Sequence, residues 1–228
     1  MPATPPRRRP GPRRTLAEDD ILDAALSLLD EGGPTAASVR GIAARVGVAP
    51  NAVYTYFPDK AAVMHALVER LLGEVDHGVF ANRRRPWRER IESLAVEVRT
   101  RLIAHPGTVN LLIVGPMNGP NALALNERLL ELLADAGLPA TEAARSAYLL
   151  IVYVIGSVAL EVADPHRPGP LSAEAERIAD RRLALSVAPA AGHERTSAAA
   201  DTMAGYISTE QYTWGLHRLL DGIEAWIT

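Results

Sequence analysis

The chain has 228 residues, 48% of them hydrophobic and 22% charged, with a formal net charge of −3. That balance is too apolar for a disordered chain. The lack of any cysteine excludes disulfides, Cys-ligated zinc, iron–sulfur clusters and a thiol nucleophile. Aromatics are only 5% while Ala and Leu are abundant, which favours helices over sheets. The charge is unevenly placed. Arg7, Arg8, Arg9, Arg13 and Arg14 form a basic, Pro-rich start without any acid, leaving about eight surplus acids on the rest of the chain. No apolar stretch follows that start, and the longest apolar run, Tyr148 to Leu160, falls short of the roughly 20 residues a membrane helix needs. Neither a signal peptide nor a membrane segment is expected, and a soluble cytoplasmic protein is.

In chain order, Thr15 and Glu18 predict a capping box at the start of a helix whose inner side is Ile21, Leu22, Ala25, Leu28 and Leu29. Gly32-Gly33-Pro34 predicts its end. Ser38 is the expected N-cap of a short second helix with Val39, Ile42, Ala43 and Val46 inward. Gly47 makes the turn into a third helix, which opens at Pro50 and runs towards Phe57. Asp59 caps a fourth, through Val63, Leu67 and Leu71. The spacing then predicts helices over 87–104, 108–114, 122–135, 141–163, 173–186 and 209–227, with 188–205 as a mobile loop. The helix over 141–163, the eighth, is apolar nearly all round and is expected to be buried on most sides. The last helix sets Leu216, Leu219, Leu220 and Ile223 on one side, a surface that a monomer is expected to expose. No strand pattern and no repeat is legible. The fold class expected is all-α.

Residues 38–57, two short helices joined at a glycine, have helix-turn-helix spacing. With the apolar residues packed on the first helix, Arg40, Asn51, Ala52, Tyr54, Thr55, Tyr56 and Lys60 remain outside together. Their chemistry suits a double helix. Arg40 offers a bidentate pair to guanine and Asn51 one to adenine, while Ala52 and Thr55 bring methyls for thymine. Tyr54, Tyr56 and Lys60 have the reach and donors for phosphates, as do Arg13 and Arg14 of the arm. Tyr54 also reads as plain core and Lys60 as a solvated charge. Arg83, Arg84 and Arg85 are read as solvated.

Residues 15–72 resemble the N-terminal DNA-binding domain of the TetR-type transcriptional repressors. The resemblance rests on Ile21-Leu-Asp-Ala-Ala25, Val39-Arg40-Gly-Ile-Ala43, Val46-Gly47-Val48, Val53-Tyr54-Thr-Tyr56-Phe57 and Asp59-Lys60. A weaker likeness to the ligand-binding domain of the tetracycline-repressor branch runs through His105-Pro106, Gly119-Pro120-Asn121, Ala136-Gly137-Leu138 and Gly215-Leu216 to Ile223. Ala49 departs from the Ser or Thr cap common in the family, and the arginine arm is longer than its pattern requires.

The resemblance implies a basic arm (1–14), a helix-turn-helix domain (15–60), a connecting helix (61–79) and a ligand-binding and dimerisation domain (80–228). It implies a homodimer, paired through the eighth and last helices, that holds a pseudo-palindromic operator and is released by a small-molecule effector. Gly156, Ser157, Ala159, Gly215 and Gly222 are the expected close-approach residues of that pairing. Effector contacts are expected from His105, Asn110, Met117, Asn118 and Asn121 around the interrupted turn, and from Tyr148 and Tyr153 facing inward. Glu161 is read as either a ligand or metal contact or a satisfied interface group. The motifs of zinc proteases, Ser hydrolases and phosphate loops are all missing, and His65, His77 and His105 lack metal-site spacing. Catalysis, a cofactor and a metal are therefore not expected. The rival reading is a DNA-binding protein without an effector, architectural or controlled by a protein partner, and it predicts no enclosed cavity.

Overall fold

The computed structural model describes residues 16–78, 82–163, 171–186 and 192–227. Among these residues the secondary structure is entirely helical. The helices are α1 (Glu18–Ala36), α2 (Val39–Val46), α3 (Pro50–Tyr54), α4 (Lys60–Gly73), α5 (Trp87–Ala104), α6 (Val109–Val114), α7 (Pro120–Asp135), α8 (Ala140–Val162), α9 (Glu174–Leu185), α10 (Glu194–Ala198), α11 (Ala200–Ala204) and α12 (Thr209–Glu224). Single 3₁₀ turns at Pro106–Thr108 and Gly205–Ile207 precede α6 and α12.

Local chemistry sets most of these ends. The Ser38 hydroxyl accepts from the Gly41 amide at 3.0 Å and the Asp59 carboxylate from the Ala62 amide at 2.8 Å, so α2 and α4 start where their caps predict. Gly47 stands at φ +76, a left-handed conformation that costs glycine little, and closes α2 as expected. Gly32 and Gly33 leave helical geometry, Gly33 at φ +67, and interrupt α1. The start of α1 differs from expectation. Thr15 lies outside the described residues, Ala17 is the N-cap, and Asp20 rather than Glu18 reaches back, accepting from the Ala17 amide at 3.0 Å. Over 188–205 the expected loop gives way, in its described part, to α10, α11 and the second 3₁₀ turn, where Ala204 is fully buried.

Two apolar cores fill the molecule. The first joins Ile21, Ala25 and Leu29 of α1 to Ile42 and Val53, and runs without a break through Val63, Leu67 and Leu71 of α4 to Leu102, Leu112 and Val158. The second, further along α5, gathers Ile91, Leu94, Leu132, Leu133, Leu150, Leu216 and Leu220. α4 thus belongs to both the head and the body. The 3₁₀ turn at 106–108 sits directly on the α1 backbone: a Cβ at Gly107 would lie 2.5 Å from the Leu29 carbonyl oxygen.

The faces of α8 and α12 correct two expectations. Leu216, Leu220 and Ile223 are buried within the single chain, because α12 packs on α5 and α8; they do not await a partner. Gly215 serves that same internal packing, since a Cβ there would collide with the Tyr153 hydroxyl. α8 is not buried on most sides. One stripe, Ala143, Ala147, Leu150, Val154, Val158 and Glu161, faces inward, while Tyr148, Val152 and Leu160 are exposed at steps of four or eight. Its 23 residues are long and apolar enough to cross a membrane by composition alone. The Glu161 carboxylate near its end, however, is buried and held by Arg99 and Arg177.

Candidate functional site

The first site is the outer face of α2 and α3. Burying Ile42, Ala43 and Val53 against α1 turns Arg40, Asn51, Tyr54 and Thr55 to solvent, with Ala52 half-buried beside them. Arg45, on the same helix as Arg40, is tied to Glu31 of α1 by two hydrogen bonds, and Arg70 of α4 to Asp23. Among the described residues the Arg40 guanidinium has no such tie, which leaves all its donors free. The Thr55 hydroxyl donates back to the Asn51 carbonyl at 3.2 Å, leaving its methyl outward.

Two residues expected on this face are engaged elsewhere. The Tyr56 ring is half-buried against the first core and its hydroxyl donates to the Leu16 carbonyl, so the expected outward donor is spent inside the head. Lys60 Nζ donates to the Pro34 carbonyl, tying the start of α4 to the end of α1. Arg13 and Arg14 lie outside the described residues.

The second site is a cavity of about 320 Å³ between the two cores. Its wall is built by α5 (Ile91, Leu94, Val98), α7 (Ala122, Leu125, Asn126, Leu129) and α8 (Leu150, Ile151, Val154), with Leu72, Leu112 and Met117 closing the side towards the head. Among the described residues Asn126 is the sole polar one in this wall, and its amide makes no hydrogen bond to any of them. Among the described residues no charged group lines the cavity.

Of the seven residues expected to meet an effector, only Met117 lines the cavity. His105 instead places Nδ1 2.9 Å from Asp30 Oδ2, on the seam between α5 and α1. Asn110 and Asn118 are exposed, and Tyr148 is 71% exposed rather than inward. Tyr153 donates to the Tyr212 carbonyl at 2.6 Å and stacks on the Tyr212 ring, with centroids 5.6 Å apart. Asn121 is held by Glu69. The missed residues do carry a sequence signal: Ala122, Leu125, Asn126 and Leu129 form one helical stripe, broken by a single amide.

Glu69 links the cavity wall to the head. Its carboxylate, buried on α4, accepts from the Asn121 amide at 2.7 Å and the Ala122 amide at 3.3 Å. The Asn121 side chain returns a bond to the Glu69 carbonyl at 2.9 Å. A carboxylate at a helix N-terminus meets both free amides and the positive end of the helix dipole. The approach requires Gly119, where a Cβ would overlap the Glu69 carboxylate.

Near the C-terminal end of α8, Glu161 accepts from Arg99 at 2.9 and 3.1 Å and from Arg177. Burial pushes the Glu161 carboxyl up and the two guanidiniums pull it back. Arg99 also donates to Thr209 at 2.9 Å and lies over the Tyr212 ring. Glu161 is thus satisfied internally rather than offered to a ligand. No group of three or more metal-ligating side chains occurs among the described residues.

A third surface is apolar and open. Tyr148, Leu149, Val152 and Leu160 of α8 are exposed, together with Trp214 of α12 and Trp226 just beyond it. A Cβ at Gly156 or Gly222 would meet no atom within 4 Å.

Residues 21–67 match the model of bacterial regulatory proteins, tetR family, and residues 81–227 that of the tetracyclin repressor-like C-terminal domain. An HTH-type transcriptional regulator of Saccharopolyspora erythraea is 32% identical over 178 residues, spanning 77% of this chain and 75% of that protein. The HTH-type transcriptional repressor DrrR1 of Streptomyces coeruleorubidus is 27% identical over 95% of this chain and 81% of its own. A crystal structure of a possible TetR family transcriptional regulator from Streptomyces coelicolor A3(2) superposes with a TM-score of 0.79 and 27% identity, over 92% of this chain and 99% of that one.

Proposed function

The chain belongs to the tetR family of bacterial regulatory proteins, DNA-binding regulators of transcription, and from that premise we propose that it is a repressor. As a homodimer it holds a pseudo-palindromic operator in the cytoplasm, and a small molecule in the cavity releases it. The observation that carries this reading is the outer face of α2 and α3, where Arg40 is exposed and has no ion pair or hydrogen bond among the described residues. Arg40 and Asn51 read base edges in the major groove, and Ala52 and Thr55 contact thymine methyls. Tyr54 donates to a phosphate. So does Lys60, whose ammonium keeps donors beyond the one given to Pro34. Tyr56 positions this face through Leu16 instead of touching DNA. Arg13 and Arg14 follow the backbone next to the head.

The dimer pairs the open face of α8, from Tyr148 to Leu160, with that of α12 around Trp214 and Gly222. Two heads then meet half-sites one helical turn apart, roughly 34–36 Å. The effector favours a conformation in which they do not, and α7 passes the change to α4 through Glu69. DrrR1 is named a repressor, which supports repression over activation. The cavity disfavours the rival without an effector, which predicted none.

Footprinting on the DNA flanking the gene, repeated across salt concentrations, tests this. Arg40→Ala should cost about 1–3 kcal/mol at one base position, whereas Lys60→Ala should weaken all sequences alike and lower the salt slope by about one. An Arg40→Ala protein that binds its site as tightly as the wild type overturns the assignment of the reading face.

A further inference from the structure

We propose that the effector is an uncharged, mainly apolar molecule bearing a single hydrogen-bonding group, that Asn126 receives that group, and that no metal ion takes part. The inference rests on the reading of the cavity as the effector site and adds the chemical class of its occupant. The wall is aliphatic on α5, α7 and α8, and among the described residues Asn126 is its one polar side chain. A charged ligand would give up its water for a cavity in which no described residue carries the opposite charge, and that desolvation would go uncompensated.

The two buried carboxylates of the body side are already committed, Glu161 to Arg99 and Arg177, and Glu69 to the start of α7. A metal chelate needs carboxylate or imidazole ligands. His105, the histidine that the sequence offers next to this region, faces Asp30 on the seam instead. Asn126 has both an acceptor and two donors free, so it accepts from a hydroxyl or N–H or donates to a carbonyl. The volume, about 320 Å³, sits at the small end of the drug-sized range.

The probes are a matched pair. N-phenylnaphthylamine is neutral, with one N–H on two aromatic units; anilinonaphthalene sulfonate has the same skeleton and a fixed negative charge. Fluorescence titration of the full-length protein should show saturable N-phenylnaphthylamine binding at one site per chain, unchanged by magnesium or by EDTA. The sulfonate should bind at least about a hundredfold more weakly. Asn126→Leu should weaken N-phenylnaphthylamine by about three- to tenfold, the loss of one hydrogen bond, and leave phenylnaphthalene, which has no N–H, as tightly bound as before. Leu123→Trp, at the exposed rim of the cavity, should weaken both neutral probes.

Equal affinity for the sulfonate with mutual displacement, a requirement for magnesium, absence of saturable binding, or indifference to both substitutions would each overturn the proposal. Operator affinity, measured in the same samples, separates the two ideas. A neutral probe that binds with this pattern yet leaves operator affinity unchanged supports the ligand class and shows that filling the cavity does not by itself release the operator.

Discussion

The head and the body of this protein keep their functional groups in opposite ways. In the head, the proposed reading face is a short stretch of sequence, 40 to 55, turned outward by a small buried core. In the body, the cavity wall is assembled from at least three long helices, and its members lie as far apart as Leu72 and Ile155. A face is written by one or two helical periods. A cavity is the space left where two cores fail to merge. The first core, rooted in α1, reaches Leu112 and Ala122; the second, rooted in α5 and α12, reaches Ile91 and Leu129; and the wall draws on both. The contrast teaches that polar residues near an irregular turn, which look like ligand groups in a sequence, can be spent by the packed structure as fasteners. His105 and Asn121 are both fasteners between head and body.

Four substitutions sharpen or break that contrast. The largest effect is expected from Val152→Arg on the open stripe of α8. If head function depends on pairing through the body, loss of the dimer removes the second half-site, and operator affinity should fall by about 10²–10⁴, read by gel shift with sedimentation on the same sample. An unchanged dimer would move the pairing surface elsewhere. Next is Glu161→Ala, which leaves Arg99 and Arg177 without their shared carboxylate and should cost about 3–5 kcal/mol of stability, measured by urea unfolding.

Glu69→Ala should cost less, about 1–3 kcal/mol, since the amides it frees on α7 gain some access to water. Its more telling result is functional. A head uncoupled from α7 should keep operator binding while losing its response to any cavity occupant, and an unaltered response would place the coupling elsewhere, as at His105 and Asp30.

The smallest effect is expected at the Glu31–Arg45 pair inside the head. The Arg45 hydrogen bonds hold the exposed Glu31 carboxyl below its ordinary value of 4.5. A depressed carboxylate contributes stability above its unfolded pKa and loses it as pH falls through the folded one. The small Tm difference between the wild type and Glu31→Gln at neutral pH should therefore vanish on acidification, and a difference that grows would mean that Arg45 has another partner.

Much of the head was legible because its signals are local. Ser38, Gly47, Pro50 and Asp59 each act within three or four residues of themselves, and each does in the structure what its chemistry predicts. Tyr56 and Lys60 show the limit of such reading. Both look outward by helical phase, and both are turned to carbonyls of Leu16 and Pro34 that lie 40 and 26 residues away. The body was legible as helices and illegible as a site, since Tyr148, Tyr153 and Asn126 differ in environment only through which helix stands opposite.

Sequence alone determined that this chain folds as helices, where most of them begin and end, and which short surface presents guanidinium and amide groups outward. Those are properties of spacing and capping, decided within a few residues. Only the tertiary structure decided which polar groups are already taken, that α12 turns its leucines inward, and that an apolar cavity with one open amide lies between the cores. Whether a donor is free, or a void remains, depends on partners brought together from distant parts of the chain.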